Sequence, residues 1–405
     1  MRKFFKHSRD IKNLAALVYF TQGAVGITTV GLPIYLRKLG WSVTDIATAS
    51  SIIAIPWVLK IFYGLLSDCV PLAGYRRKSY LVLFPLLAAM SWLTLAMGGP
   101  ERYFIITTLL IANIGYAATD VITDGLIVEH SNEFTTHLYQ SIAWGARAIG
   151  AILSSALGGY LAQHVEPKTL FTVAACLPLL TLLVAFQIRE KKQPRIPFKS
   201  VAEPLLRCAK ILFTPRIRWF IVFLIMMQVS SCYGVPFFFH MKETLNFNEG
   251  FLGILISVGW FGAVIGSFLY AKWLSRKPLR LIIKFAVGIN VVNTLSTLLI
   301  ANKFSALLLV FLGGMMACIT ILPIMSTCAV FARHSGVEGT LFAVLASIYN
   351  VGQIVFSYLG GRIHDFTGIP LLIIGAALVN VIIFFMISKL DLDTHVAHHA
   401  APDTA

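Results

Sequence analysis

Charge is scarce in this chain, and negative charge is scarcer still. Only 13% of the 405 residues are Asp, Glu, Lys or Arg, with 18 acids against 33 bases. Soluble proteins carry about 25% charged residues. So little charge excludes the two or three soluble domains, at roughly 150 residues each, that the length would otherwise suggest. Cysteine is thinly spread. Cys69, Cys176, Cys208, Cys232, Cys318 and Cys328 form no CxxC pair, which excludes a disulfide framework and a cysteine metal site. No GxxxxGK loop is present, and no GxSxG or HExxH stands in a suitable context. ATP-driven work, hydrolytic chemistry and a bound cofactor are therefore not expected. The net charge of +15 would suit nucleic acid, but the cations sit in short loops beside apolar runs. They read as membrane-orientation signals.

What the chain has is apolar length. Hydrophobic residues make up 57%, and the mean hydropathy is +0.79. A bilayer core of about 30 Å takes about 20 apolar residues per helix. Twelve segments meet this: 14–36, 44–66, 79–98, 103–127, 138–162, 168–188, 217–239, 248–271, 279–300, 303–330, 338–361 and 367–388. The basic N-terminus runs into the first of them with no small-residue cleavage site, so an uncleaved first helix is expected. The tail histidines His395, His398 and His399 carry no metal expectation.

Loop charges orient the segments. One side collects Arg2, Lys3, Lys6, Arg9 and Lys12, then Arg76, Arg77 and Lys78. The same side holds Arg189, Lys191, Lys192, Arg195, Lys199, Arg207, Lys210 and Arg216 of the middle loop, and Lys272, Arg276, Lys277 and Arg280. The other side has only Arg37, Lys38, Arg102, Lys168, Lys242, Lys303 and Arg362. Both termini and the middle loop are expected in the cytoplasm of a cell whose inner membrane holds the protein.

The two halves look alike. GLPIYL closes the first segment at Gly31-x-Pro33, and GVPFFF closes the seventh at Gly234-x-Pro236, an offset of 203. Gly150, Ser155, Leu157, Gly158 and Gly159 match Gly352, Ser357, Leu359, Gly360 and Gly361 at an offset of 202. Two matches at nearly one offset argue for a duplicated six-helix unit, an architecture that transporters use with a site between the repeats. The expected fold is all-α and integral to the membrane: twelve transmembrane helices in two pseudo-symmetric bundles. Residues 1–188 form the first bundle, 189–216 a connecting loop that is either a solvated linker or a short surface helix, and 217–405 the second. Gly150, Ser154 and Gly158, like Gly262 and Gly266, recur every four residues and let backbones approach.

Three motifs carry chemistry. The first is PW-x2-K followed by G-x2-SD-x2-P-x2-GYRR, from Pro56 to Arg77. The second is D-x3-D-x4-E, through Asp120, Asp124 and Glu129. The third is WGARAIG, from Trp144 to Gly150, followed by Gly158 and Gly159. Together they resemble the folate–biopterin transporter family, a branch of the major facilitator superfamily. The match is strongest between about residues 50 and 160. The family usually reads K-P where this chain has Lys60-Ile61. The resemblance implies that the Gly64–Lys78 turn is a lengthened form of the superfamily's loop between helices 2 and 3. There the acid caps a neighbouring helix and the arginines lock the inward gate.

A charged side chain inside a spanning helix costs roughly 2.5–3.5 kcal/mol, so those present need a purpose. At 1.5 Å per residue, Asn113 lies roughly 15 Å along the fourth segment and Arg147 roughly 14 Å along the fifth, both near mid-depth. Asn113, Tyr116, Asp120 and Asp124 are spaced to share one helix face. Arg147 is either a planar fork for a substrate carboxylate or a structural ion pair with Asp120. Asp120 and Asp124 are either proton-coupling acids or members of a static cluster with Lys60, Arg76 and Arg77. Asp68, Asp124, Arg76 and Arg77 are expected to form gate pairs, with Lys60 and Glu129 beside them. Trp144, Gln22, Gln228 and Asn350 join Arg147, Asn113 and Tyr116 as candidate substrate contacts, with Tyr19 and Tyr349 as further rings for stacking.

The expected function is secondary active transport by alternating access, coupled to protons and carried out by a monomer in the lipid bilayer. The resemblance implies a folate- or biopterin-type pteridine. Another organic anion or cofactor-like solute, such as a nucleoside, a siderophore or S-adenosylmethionine, remains open, as does a non-transporting receptor. The orientation is directly testable. In a background without the six native cysteines, Arg102→Cys and Lys191→Cys should react with an impermeant thiol reagent from opposite faces of the membrane. Labelling of both from one face contradicts the twelve-segment topology.

Overall fold

The computed structural model describes residues 2–390 apart from 131–132, 189, 193, 195–198, 275–276 and 333–334. Arg189, Arg195, Arg276 and the three tail histidines lie outside the described residues, as do the side chains of Arg2, Lys3, Lys6, Arg9 and Lys199.

All twelve expected segments are helical. They are α1 (Lys12–Lys38), α2 (Val43–Cys69), α3 (Lys78–Met97), α4 (Arg102–His130), α5 (Glu133–His164) and α6 (Pro167–Ala185). A connector helix, Lys199–Leu212, precedes α7 (Pro215–Thr244), α8 (Glu249–Leu274), α9 (Leu279–Leu299) and α10 (Lys303–Ala332). A final continuous stretch, Glu338–Met386, breaks at Gly368, where φ is +68°. Only glycine adopts that backbone readily, and it divides α11 (338–367) from α12 (369–389). The stretch supplies the last two of the twelve spans.

Proline sets the irregularities that matter. Pro33 and Pro236 each lack the N–H that would reach back four residues. In both helices the chain just before the Gly-x-Pro tightens into a 3₁₀ turn, Val25–Thr28 in α1 and Val229–Tyr233 in α7. Pro56 does the same in α2, where Ile55–Trp57 is 3₁₀ and a new helical run starts at Lys60. The lysine therefore sits at a break in the helix, where its side chain can leave the lipid face.

The internal repeat is visible in contacts as well as in letters. Gly150 and Gly158 of α5 press on the carbonyls of Phe20 and Ile27 in α1. Gly352 and Gly360 of α11 press on those of Ile225 and Cys232 in α7, each partner 205 residues on. Between the halves the pattern holds again. Gly159 of α5 lies on Gly253 of α8, and Gly361 of α11 lies on Ala47 of α2. Gln163 accepts from the Gly250 amide at 3.2 Å, while Asp365 accepts from Thr44 at 2.6 Å. Ser42 caps α2 and Asn248 caps α8. Positions 42, 44 and 47 thus pair with 248, 250 and 253 at a spacing of 206. The ion pair Arg37–Glu243, at 2.7 Å, joins two positions at that same separation, as expected for a contact on the pseudo-twofold axis.

These joins share one end of the molecule, opposite the 64–78 turn. An apolar cluster of Val30, Ile34, Phe237, Phe247, Leu252, Ile300 and Ile373 seals that end. Among the described residues the other cores are each built almost wholly from one half, with buried Phe239 of α7 and its half-buried neighbours Val235 and Phe238 crossing over. The halves are therefore clamped together away from the basic loops.

Backbone lies against backbone at Gly159, so Gly159→Val should overpack the seam and cost about 1–3 kcal/mol. Gly145 on the same helix faces open space, so Gly145→Ala should leave the melting temperature in detergent unchanged. Equal melting temperatures for the two variants would refute the seam.

Candidate functional site

Two polar clusters occupy the first six helices. The deeper one is centred on Asp120, a side chain 3% exposed on α4. One of its oxygens accepts from Lys60 Nζ at 2.6 Å, and the other accepts from Gln22 Nε2 at 2.7 Å. An unpaired carboxylate at this depth would be costly; here cation and amide compensate it, and α1, α2 and α4 are joined. Removing one partner of a buried pair costs about 3–5 kcal/mol. The Lys60 side chain is 26% exposed, so solvent screening lowers that figure. Lys60 also lies 5.1 Å from the centre of the Trp57 ring. The Trp57 indole donates to Asn113 Oδ1 at 3.0 Å, and Asn350 of α11 reaches the Trp57 carbonyl at 3.5 Å.

One turn further along α4, Asp124 accepts from the Tyr19 hydroxyl at 2.7 Å. The Tyr19 ring lies 6.4 Å from that of Trp144 on α5. Trp144 is 55% exposed, and Arg147 stacks over it at 5.2 Å. The Arg147 side chain makes no hydrogen bond or ion pair with the described residues. Its guanidinium lies within electrostatic range of Asp120, Asp124 and Tyr19. Four helices thus bring one satisfied ion pair, one hydroxyl-bonded acid, an open indole face and a free cation to one place.

The second cluster is the 64–78 turn. Left-handed residues Ala73 and Gly74 reverse the chain, and the Tyr75 amide closes on the Leu72 carbonyl at 3.0 Å. Arg76 and Arg77 both reach Asp68, at 2.8 and 2.7 Å. Arg77 also holds Glu129 at 2.8 Å and the Ser67 hydroxyl at 2.6 Å. Its guanidinium lies on Gly125, where any side chain would displace it. The α3 N-terminus has no cap from its own sequence. Glu190 supplies one from the middle loop, accepting from the amides of Arg76, Arg77 and Lys78. Lys78 answers by donating to the carbonyls of Phe186 and Ile188 at the end of α6. A carboxylate at a helix start and an ammonium at a helix end both suit the helix dipoles.

Several expectations need correcting. Asp124 does not pair with Arg76 or Arg77; Glu129 and Asp68 take those cations, because the arginines lie one to two turns nearer the end of α4. Arg147 is not paired with Asp120, whose oxygens Lys60 and Gln22 already engage. Tyr116 does not open on the centre: it is buried and receives the Trp92 indole at 3.1 Å. It stands three residues beyond Asn113, and three residues fall about 60° short of a full helical turn. That rotation is enough to aim its ring at α3 while Asn113 meets Trp57 of α2. Gln228 packs beside Gly352 at the α7–α11 crossing. Sequence reasoning missed Glu190, whose only signal was being one of two acids in a basic loop. It also missed the hydrogen-bond role of Tyr19 and the Arg37–Glu243 pair. Among the described residues no cluster of His, Cys, Asp and Glu could hold a metal ion.

Comparison with known proteins places this arrangement. Residues 22–392 match the model of the BT1 family. The folate-biopterin transporter of Synechocystis sp. is 30% identical over 88% of this chain and 77% of its own length. The probable folate-biopterin transporter 4 of Arabidopsis thaliana is 26% identical, over 88% of each chain. Folate transporter 1 of Plasmodium falciparum is 26% identical over 92% of this chain and 78% of its own. Among solved structures, the nucleoside transporter NupG superposes with a TM-score of 0.75 at 14% identity, covering 94% of this chain and 98% of its own. A bacterial Spinster homologue in an inward-facing, occupied conformation gives 0.70 at 12% identity, over 95% and 98%. These likenesses establish the major facilitator fold, and the match along nearly the whole sequence establishes more: this membrane transporter belongs to the BT1 family.

Proposed function

We propose that the protein carries a folate-type pteridine across a bacterial inner membrane by proton-coupled alternating access, as a monomer. Residues 1–188 and 217–405 act as two bundles linked by 189–216, with both termini in the cytoplasm. The observation that carries this reading is Arg147, which has no anionic partner among the described residues and is stacked on the open face of Trp144 at mid-depth. A flat ring with a carboxylate tail satisfies both groups, the ring on Trp144 and Tyr19 and the carboxylate on the guanidinium fork. Folate has both features; biopterin offers the ring alone. The names of the sequence relatives point to the same chemistry. Gln22, Asn113 and Asn350 are the proposed polar neighbours. Tyr116 belongs to the support behind them.

The clamp at Arg37–Glu243 closes one end, and the loop charges make the other end cytoplasmic. Asp68, Arg76, Arg77 and Glu129 then form the inward gate, with Lys60, Asp120 and Asp124 between gate and site.

Arg147→Lys keeps the charge and loses the fork, so folate affinity should fall by roughly 1–3 kcal/mol. Folate with its carboxylates amidated should bind wild type weakly yet bind Arg147→Ala about as well as it binds wild type. Calorimetry on the four combinations gives the coupling. An equal penalty for amidation in wild type and mutant would remove Arg147 from the site.

The gate residues should behave differently. Asp68→Asn and Arg77→Ala bias the inward–outward equilibrium without touching ligand, so they should slow initial uptake more than they weaken binding. A collapse of binding with normal turnover of the bound fraction would place them in the site.

A further inference from the structure

The two acids of α4 differ in one respect that bears on coupling. Asp120 is compensated twice, by Lys60 at 2.6 Å and Gln22 at 2.7 Å. Asp124, one turn on, has only the neutral hydroxyl of Tyr19 at 2.7 Å, and no cation within ion-pair distance among the described residues. Among the described residues, the groups around it are otherwise committed. From α1 comes Tyr19, and from α2 come Lys60, committed to Asp120, and Asp68, committed to the arginines. From α3 comes Arg77, held by Asp68 and Glu129 across Gly125. On α4 itself stand Asp120 and Glu129. Only Arg147, from α5, is uncommitted among the described residues, and it stands beside Asp124 through a short chain of contacts: 5.2 Å to the Trp144 ring, 6.4 Å from there to the Tyr19 ring, whose hydroxyl bonds Asp124 at 2.7 Å.

We propose that Asp124 is the carboxylate that carries the coupled proton, and that the charge of Arg147 is balanced by Asp124 in the empty site and by a carboxylate of the substrate in the loaded one. This rests on the transport of an anion argued above and specifies how its charge is balanced. With Asp124 ionised and the site empty, the deep cluster holds Asp120, Asp124, Lys60 and Arg147 and sums to zero. When water on the open side delivers a proton to the Asp124 oxygen that Tyr19 does not bond, the cluster gains one positive charge. The charge of Arg147 is then unbalanced, and one substrate carboxylate restores neutrality. Tyr19 keeps its own proton throughout. The empty state and the doubly loaded state are neutral, while either half-loaded state leaves a net charge in a poorly solvated interior, where Coulomb energies are largest. Proton and anion therefore cross together, one proton for each carboxylate that Arg147 holds.

Infrared difference titration of the purified protein without substrate tests the proton site. A protonated-carboxyl C=O band should grow as pH falls. It should persist in Asp120→Asn, vanish in Asp124→Asn and change frequency in Tyr19→Phe, which removes only the hydrogen bond. Folic acid binding, measured above the range where its own carboxyls titrate, tests the coupling. Wild-type affinity should rise as pH falls, approaching tenfold per pH unit for one linked proton, and Asp124→Asn should be flat. A band that survives in Asp124→Asn, or that disappears in Asp120→Asn instead, overturns the assignment. So does an unchanged pH slope in Asp124→Asn. If folic acid fails to bind wild type at all, the substrate reading fails, and the infrared result still decides the proton site.

Discussion

The contact between Lys60 and Asp120 is the constraint on which the rest of the first six helices depends. Each group alone would be expensive at its depth. Together, with Gln22 completing the acid, they turn that cost into a fixed point shared by α1, α2 and α4. The break at Pro56 belongs to the same arrangement, since it starts a new helical run at Lys60 and lets the ammonium turn inward. Once those three helices are fixed, Tyr19 and Asp124 are brought into register one turn away. Trp144 and Arg147 then meet them from α5, which α1 holds through the close seam at Gly150 and Gly158.

The cluster at the 64–78 turn is built on a different principle. Its charges lie nearer the surface, and their strength comes from shared partners. Asp68 takes two arginines, Arg77 takes two acids and a hydroxyl, and Glu190 takes three successive amides. Such a network forms only when the turn, the end of α4 and the start of the middle loop are all in place. The deep cluster depends on the burial of Asp120, while its partner Lys60 is 26% exposed; the turn depends on connectivity around the buried Arg77, while its partner Asp68 is 34% exposed.

Much of this was legible in the sequence because membrane physics restricts the alphabet. Twelve apolar runs of the right length leave few alternatives to twelve helices. Glycines at 150, 158, 159, 352, 360 and 361 announced close seams and a repeat before any contact was known. The motif residues Lys60, Asp120, Asp68 and Arg77 were recognisable because charge in such a chain is rare. Partner choice was not legible. Asp120 and Asp124 share a face by spacing, yet a turn of separation gives them unlike neighbours on other helices, and only the packing of α1 and α5 against α4 decides which neighbours those are. Tyr116 shows the same limit: its place on α4 was clear, but a modest rotation toward Trp92 takes it into the core. Glu190 acts on a helix more than a hundred residues earlier in the chain, a relation that no local pattern encodes.

The exchange between Glu190 and Lys78 has a mechanical consequence. The strap that joins the two bundles is fastened at its root: the carboxylate grips the start of α3, and the lysine grips the end of α6. A pull on the connector at Glu190 would therefore load this fastening before it loads the last turn of α6. The pull arrives at the same three amides that lead into Arg76 and Arg77. The fastening thus works as a lanyard: a load applied at Glu190 is shared with the turn that carries Arg76 and Arg77 before it reaches either helix.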